Sequence, residues 1–367
     1  MKRPLLNGTL LLLFVSGLVL PGFAQTPTPK PRTGDDDVIK VQSRLIVVPV
    51  SVIDANGQPV TGLTKENFQI AEEGRQQVID QLGNAEKVPL EIALLIDVSG
   101  SVNPLFDFEI QTAAQFLKDV MKADDRATIF LIGDKPTSDL MRENSTQAAA
   151  RILTIKPQGK FTAFYDTVSQ AAKYLQKNAP EKSRRVILAL TDGEDNWSDL
   201  TRDAERQTYK DVDVNNLTQE KRNQVAARTD AAHLSAQGKI LHDLQNADTV
   251  FYSVNPSGDS YKLNKISTRA QTGMQRFADE TGGTAFLPKV LSEDNKDALQ
   301  NPANIAKNKE TLLKIFKQLA GELQAQYLIQ YYSESDFPLN KFVRVDVGLV
   351  NKSGMRVRAR QGYYVKN

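Results

Sequence analysis

The sequence predicts an α/β fold: a doubly wound, mostly parallel sheet, joined by a small β-sandwich built from the N- and C-terminal segments. Three observations predict it. Near-continuous apolar runs at Ile92–Ile96, Ala127–Ile132, Val186–Leu190 and Thr249–Val254 suit strands buried on both faces. Helix-length segments separate these runs, and that alternation is the mark of a doubly wound sheet. Before and after this region the pattern changes to strict apolar–polar alternation, so each flank has one face to bury.

From the N terminus, Lys2 and Arg3 precede an apolar run, Thr9 to Leu20, and a small-x-small-like stretch, Gly22-Phe23-Ala24. This reads as a signal peptide over residues 1–24, its apolar run being short for a bilayer span. The chain has no cysteine, so lipid attachment at a new N-terminal Cys is excluded and disulfides contribute nothing to stability. Gln25 to Asp37, rich in Pro and charge, is expected to be a disordered linker.

From Val38 the period is two. Val38 to Ile53 predicts one or two strands, Asp54-Ala55-Asn56-Gly57-Gln58 is a hairpin-type turn, and Phe68–Gly74 with Gln77–Leu82 predicts a strand pair about a glycine. In the large domain, helices are predicted at Leu105–Ala123, Thr146–Ile155, Ala163–Lys177, Arg269–Thr281 and Ile305–Gln324. Ser138–Arg142 is a short antiparallel edge strand, and Thr284–Leu287 a last strand after Gly282-Gly283. The tail alternates again at Ala325–Tyr332, Lys341–Val350 and Met355–Arg360 before Gly362-Tyr363-Tyr364. The resulting division is signal peptide 1–24, linker 25–37, N-terminal β segment 38–88, large domain 89–325 and C-terminal β segment 326–367.

Neither flank has enough strands to bury its apolar face alone. The ends of a compact domain usually lie close together. Leader and tail are therefore expected to pair into one sandwich, with Ile46, Val48, Val50 and Val52 sharing a core with Phe342, Val343, Val345 or Val347. Trp197 to Ala232 is a polar, charge-rich helical excursion. Two readings are open for it, a decorative surface insertion and a rim that shapes partner choice. Trp197, the single tryptophan, is open in the same way between packing and an interface.

The chemistry gathers at strand ends. The run ending at Ile96 leads into Asp97-Val98-Ser99-Gly100-Ser101, one acid and two hydroxyls spaced by two. In open α/β sheets ligands bind beyond the carboxyl ends of such strands. These are hard oxygen donors, the type that Mg²⁺ and Mn²⁺ prefer. Thr162 stands at a loop-to-helix junction, and Asp192 follows the strand that ends at Leu190. The ordered set Asp97, Ser99, Ser101, Thr162 and Asp192 resembles the metal-ion-dependent adhesion site of von Willebrand factor A domains, a Rossmann-like family. Lys160-Phe161 stands where that family often has Gly-Gly. The flanking β segments resemble those of the related acidobacterial proteins.

The resemblance implies a divalent cation, Mg²⁺ or Mn²⁺ with Ca²⁺ also admissible. Through it, family members grip an Asp or Glu of a protein partner, and often move their last helix on doing so. Two carboxylates just balance the ion's charge and leave room for water, so the bare ion should bind weakly and an incoming carboxylate should complete its shell.

An enzyme is not expected. His233 and His242 are the only histidines, nine residues apart on a predicted helix, and each reads as a surface or satisfied helix residue. Ser99 lacks a Gly-x-Ser-x-Gly elbow, and Glu194 and Asp195 belong first to a polar turn. Loss of Lys2 and Arg3 with the signal would leave as many basic as acidic residues, 44 of the latter, which argues against nucleic acid. No second apolar span follows, so the mature protein is expected to be periplasmic or secreted. The expected function is cell adhesion or divalent-cation-dependent protein–protein interaction. The alternative is an assembly scaffold whose metal site is structural.

Overall fold

The computed structural model describes residues 43–99, 105–159, 161–210, 218–258, 264–291, 300–350 and 354–366. The expected signal peptide and linker lie outside the described residues, as does Ser101.

The alternating leader forms β1 (Arg44–Ile53), β2 (Phe68–Glu72), β3 (Arg75–Gln77) and β4 (Gln81–Asn84). The large domain then runs β5 (Leu90–Asp97), α1 (Phe106–Val120), β6 (Arg126–Ile132), β7 (Thr137–Glu143), α2 (Ser145–Ile152), α3 (Phe164–Asn178) and β8 (Arg184–Leu190). It continues through α4 (Asp199–Tyr209), α5 (Gln219–Asn246), β9 (Thr249–Val254), α6 (Lys265–Thr281), β10 (Ala285–Phe286) and α7 (Gln300–Gln324). The tail forms β11 (Tyr327–Ser333), β12 (Phe342–Leu349), β13 (Arg356–Ala359) and β14 (Gly362–Tyr364).

The central sheet has the order β10-β9-β8-β5-β6-β7. All its pairs are parallel except the one between β6 and the edge strand β7. Strand β5 explains why a continuous apolar run was the right signal. Ile92, Leu94 and Ile96 enter the core shared with α1, α2 and α7, while Ala93 and Leu95 enter the core under α3, α5 and α6. A fully buried Leu or Ile contributes about 1.5–3 kcal/mol, so a polar residue in place of any of these five would be costly.

Leader and tail strands interleave in two antiparallel sheets, β13-β1-β11-β4 and β14-β12-β2-β3. Their shared core holds Ile46, Val48, Val50 and Val52 of β1 with Val343 and Val345 of β12, and Val347 packs against it. The fold is the predicted one, an α/β domain with a sandwich contributed by both ends.

Several local expectations need correction. The Asn-Gly turn is real, with Gly57 at φ 78° and Asp54 Oδ1 accepting from the amides of Asn56 and Gln58. It closes only a short hairpin: the amides of Asp54 and Val60 donate to the carbonyls of Gln58 and Val52 around a single bridge, Ile53 to Pro59, before the chain crosses to the other sheet. The predicted strand at 77–82 is likewise two strands in different sheets: β3 pairs with β2, and β4 with β11. The excursion at 197–232 is not a detached insertion. Helix α5 runs on unbroken to Asn246, and its second half buries Ala236, Ile240, Leu241 and Leu244 in the sheet's core.

Candidate functional site

Asp97 is the last residue of β5, and Asp192 lies two residues beyond β8, the parallel neighbour of β5. Both carboxylates are thereby delivered to the same edge of the sheet. Ser99 is held by a parallel bridge to Gly159, and its amide donates to Asp97 Oδ1 at 3.0 Å. Thr162 precedes α3 and is buried; the amide of Ala163 donates to the carbonyl of Gly133 at 2.7 Å, fixing this loop beside β6. Asp97, at a strand end, and Ser99, Thr162 and Asp192, on loops, thus all lie at the carboxyl edge.

The electrostatics of the two acids follow from this position. Burial pushes the Asp97 carboxyl above its ordinary value, against hydrogen bonds from Ser99 and Thr191. Asp192 is pushed up to about 6, first by burial and also by the negative charges of Asp97 and Glu194. Among the described residues neither carboxylate pairs with Lys or Arg. Two adjacent desolvated acids without a cationic partner fit a bound cation. Among the described residues there is no cluster of three His, Cys, Asp or Glu able to hold a metal, so hydroxyls would have to complete the shell, in keeping with Ser99 and Thr162.

Three further residues support the site in ways that the sequence does not reveal. Thr191 Oγ1 donates to Asp97 Oδ2 at 2.6 Å and accepts from the Gly193 amide at 3.0 Å, locking the two strand ends together. A hydroxyl next to the second acid was the available signal. Gly193 has φ 77°, and a Cβ there would stand 2.7 Å from the Met274 side chain, so the turn after Asp192 requires glycine. Asp195, placed above in a polar turn, is buried; its burial-raised carboxyl accepts from the amides of Tyr165 and Ser198, the Ser198 hydroxyl and Thr201 Oγ1. These bonds tie the starts of α3 and α4 together and occupy the group. Glu194 Oε1 accepts from Ser267 Oγ at 2.7 Å.

The histidines are apart. His233 is buried, with Nε2 2.8 Å from Glu205 Oε1 and its ring against Tyr165. The His242 side chain is half exposed and packs beside Tyr364. Trp197 is half-buried at the edge of the site. Its amide donates to the Thr162 carbonyl at 3.1 Å, and its ring stacks on Phe161 with centroids 4.1 Å apart.

Residues 92–194 match the family model of the von Willebrand factor type A domain. No curated protein matches the chain. Among solved structures the chain is similar to BatB from Bacteroides thetaiotaomicron, at 15% identity over 59% of this chain and 99% of that one, with a TM-score of 0.33. It is also similar to an aerotolerance-related membrane protein from Bacteroides fragilis, at 17% identity over 61% and 98%, with a TM-score of 0.32. A third is the manganese-loaded TRAP protein of Plasmodium vivax, at 12% identity over 77% and 97%, with a TM-score of 0.36. Among the described residues no helix is long and apolar enough to cross a membrane. The match runs from β5 to just past β8, the strands that lead to Asp97 and Asp192, so it is residues 92–194 of this chain that carry the von Willebrand factor type A match.

Proposed function

We propose that this protein is an exported, non-enzymatic interaction module that grips an acidic residue of a protein partner through a divalent cation, Mg²⁺ or Mn²⁺. The carboxylates of Asp97 and Asp192 and the hydroxyls of Ser99, Ser101 and Thr162 would hold the ion. When bound, the ion supplies a Lewis-acidic position to which a partner's carboxylate can add. What supports the reading is the pairing of Asp97 and Asp192 at neighbouring strand ends, both raised by burial and neither meeting a basic side chain. Thr191 keeps Asp97 oriented, and Gly193 lets the chain turn so that Asp192 faces the same edge.

Binding to the native state stabilises by mass action, about 2.7 kcal/mol when the ion is at a hundred times its dissociation constant. The melting temperature should therefore rise with millimolar Mg²⁺ or Mn²⁺ in the wild type and stay fixed in Asp97→Ala and Asp192→Ala. Calorimetry that detects no divalent binding to the wild type, even with an acidic peptide present, refutes the assignment. Ion binding without any metal-dependent carboxylate binding would favour a structural metal instead.

A further inference from the structure

Helix α4 follows the Asp192 loop directly, and a cleft of about 590 Å³ opens along it. Asn196, Trp197, Arg202, Glu205, Arg206 and Lys210 line the cleft. Arg202, Arg206 and Lys210 recur every four residues, so they form one stripe on the helix. Their charges are poorly neutralised. Glu205, the carboxylate in the lining, is engaged by His233 Nε2 at 2.8 Å. Arg202 pairs with Asp199 at the helix start, yet its Nε is buried without a hydrogen-bond partner. Arg206 and Lys210 are exposed and make no ion pair among the described residues.

The cleft is continuous with the candidate metal site. Asn196 Oδ1 accepts from the Thr162 amide at 2.8 Å, and Trp197 donates to the Thr162 carbonyl. Phe161, the residue before Thr162, stacks on Trp197, and the Arg202 guanidinium lies 5.7 Å from the centre of the same indole. A segment leaving the metal therefore crosses an aromatic floor and then meets three cationic side chains.

We infer that this cleft is a second subsite for the partner: it binds an acidic side chain about three residues, or ~10 Å of extended chain, from the one that ligates the metal. The inference rests on the reading of the metal site given above. It makes the partner segment doubly acidic, with its intervening residues lying across Trp197 and Phe161. Exposed charge pairs are individually weak, so two or three of them favour the second acid by about fivefold at low salt, less at high salt.

Trp197 is the chain's single tryptophan, so its fluorescence reports on this cleft directly. The full chain would be titrated in millimolar Mg²⁺ with two capped peptides, Gly-Asp-Gly-Ala-Glu-Gly and the same peptide with Gln for Glu. The expected result is tighter binding of the Glu peptide by about fivefold. Arg206→Glu and Lys210→Glu should erase that preference. Equal, EDTA-sensitive affinities for both peptides would overturn the subsite and leave the metal site standing. A preference that survives both charge reversals would also overturn it. If neither peptide binds in an EDTA-sensitive way, the metal reading fails and the subsite falls with it.

Discussion

Replacing Tyr363 by Phe tests the shared sandwich at the level of one bond. Glu72 ends β2 and is 1% exposed in the sandwich core. Its Oε1 accepts from Tyr331 Oη at 2.9 Å and Tyr363 Oη at 2.7 Å, and its Oε2 from Ser333 Oγ at 2.8 Å. The leader supplies the acceptor and the tail supplies all three donors. Among the described residues no Lys or Arg pairs with this carboxylate, so hydroxyls alone replace the water it has lost. Tyr363→Phe keeps the ring and its burial and removes one hydrogen bond to a carboxylate, which costs about 1.5–3 kcal/mol. The measurement is urea unfolding of the wild type, Tyr363→Phe, Glu72→Gln and the double variant. Residues in one network should couple by about 0.5–3 kcal/mol. Amide exchange in β1 and β2 should quicken in Tyr363→Phe although neither strand is mutated. A cost below about 0.5 kcal/mol, or strictly additive variants, would refute the claim that the tail holds the leader through this carboxylate.

Two further outcomes follow from packing and burial. Gly282→Ala should cost on the order of 1–3 kcal/mol in thermal melts, because its φ is 87° and a Cβ would stand 2.7 Å from the backbone of Ala359 and Arg360. Alkaline stability is governed by buried tyrosines. Burial pushes both Tyr165 and Tyr363 up to about 12, so the unfolded chain ionises first, near 10. Stability should fall as pH rises from about 10 to about 12, and Tyr165→Phe should shrink that loss in a pH series of melts.

What the sequence made legible was whatever local pattern determines. Strands β5, β8 and β9 were plain because strands buried on both faces must be apolar throughout. The two flanks were plain because alternation leaves a face that needs a partner. The acids Asp97 and Asp192 were visible as polar residues that abruptly end apolar runs. Helix α5 was misread for the opposite reason. Its first half is solvated and charged, and the stripe of Ala236, Ile240 and Leu244 begins only after more than four turns of mostly exposed sequence. Strand β4 was misassigned because a period of two states which face is buried and says nothing of which sheet receives it. The bonds of Thr191 and Asp195 were not legible because their partners, Asp97 and Tyr165, are far away in sequence. Burial of His233 depends on α4 folding back to bring Glu205 to it, which no window of the sequence contains.

The placement of the sandwich bears on how a partner would be received. Arg184, which opens β8, donates from its amide to the Pro89 carbonyl at 2.8 Å and from its guanidinium to the Leu323 carbonyl at 2.8 Å. One residue thus ties the segment entering β5 to the end of α7. Nearby, Asp248 just before β9 takes Arg360 of the tail at 2.7 Å, and Arg360 also reaches the Val47 carbonyl of β1. These contacts fall at the amino ends of the parallel strands, whereas the candidate metal site lies at their carboxyl ends. Strand β5 has 8 residues, so the two levels are separated by about 26 Å. A partner seated on the carboxyl edge faces away from the sandwich. Any effect on the sandwich would have to travel through a packed element that spans the distance. One such element is α6, whose Ser267 bonds Glu194 beside the site and whose Glu280 carbonyl accepts from the Gln361 amide of the tail at 3.1 Å; another route runs through α1 to α7, joined by Phe116 against Phe316 at 5.6 Å. From α7 the chain enters β11, the strand hydrogen-bonded to β1 from Arg44 to Val50. A shift of α7 would therefore act on one of the strand pairs that join leader and tail.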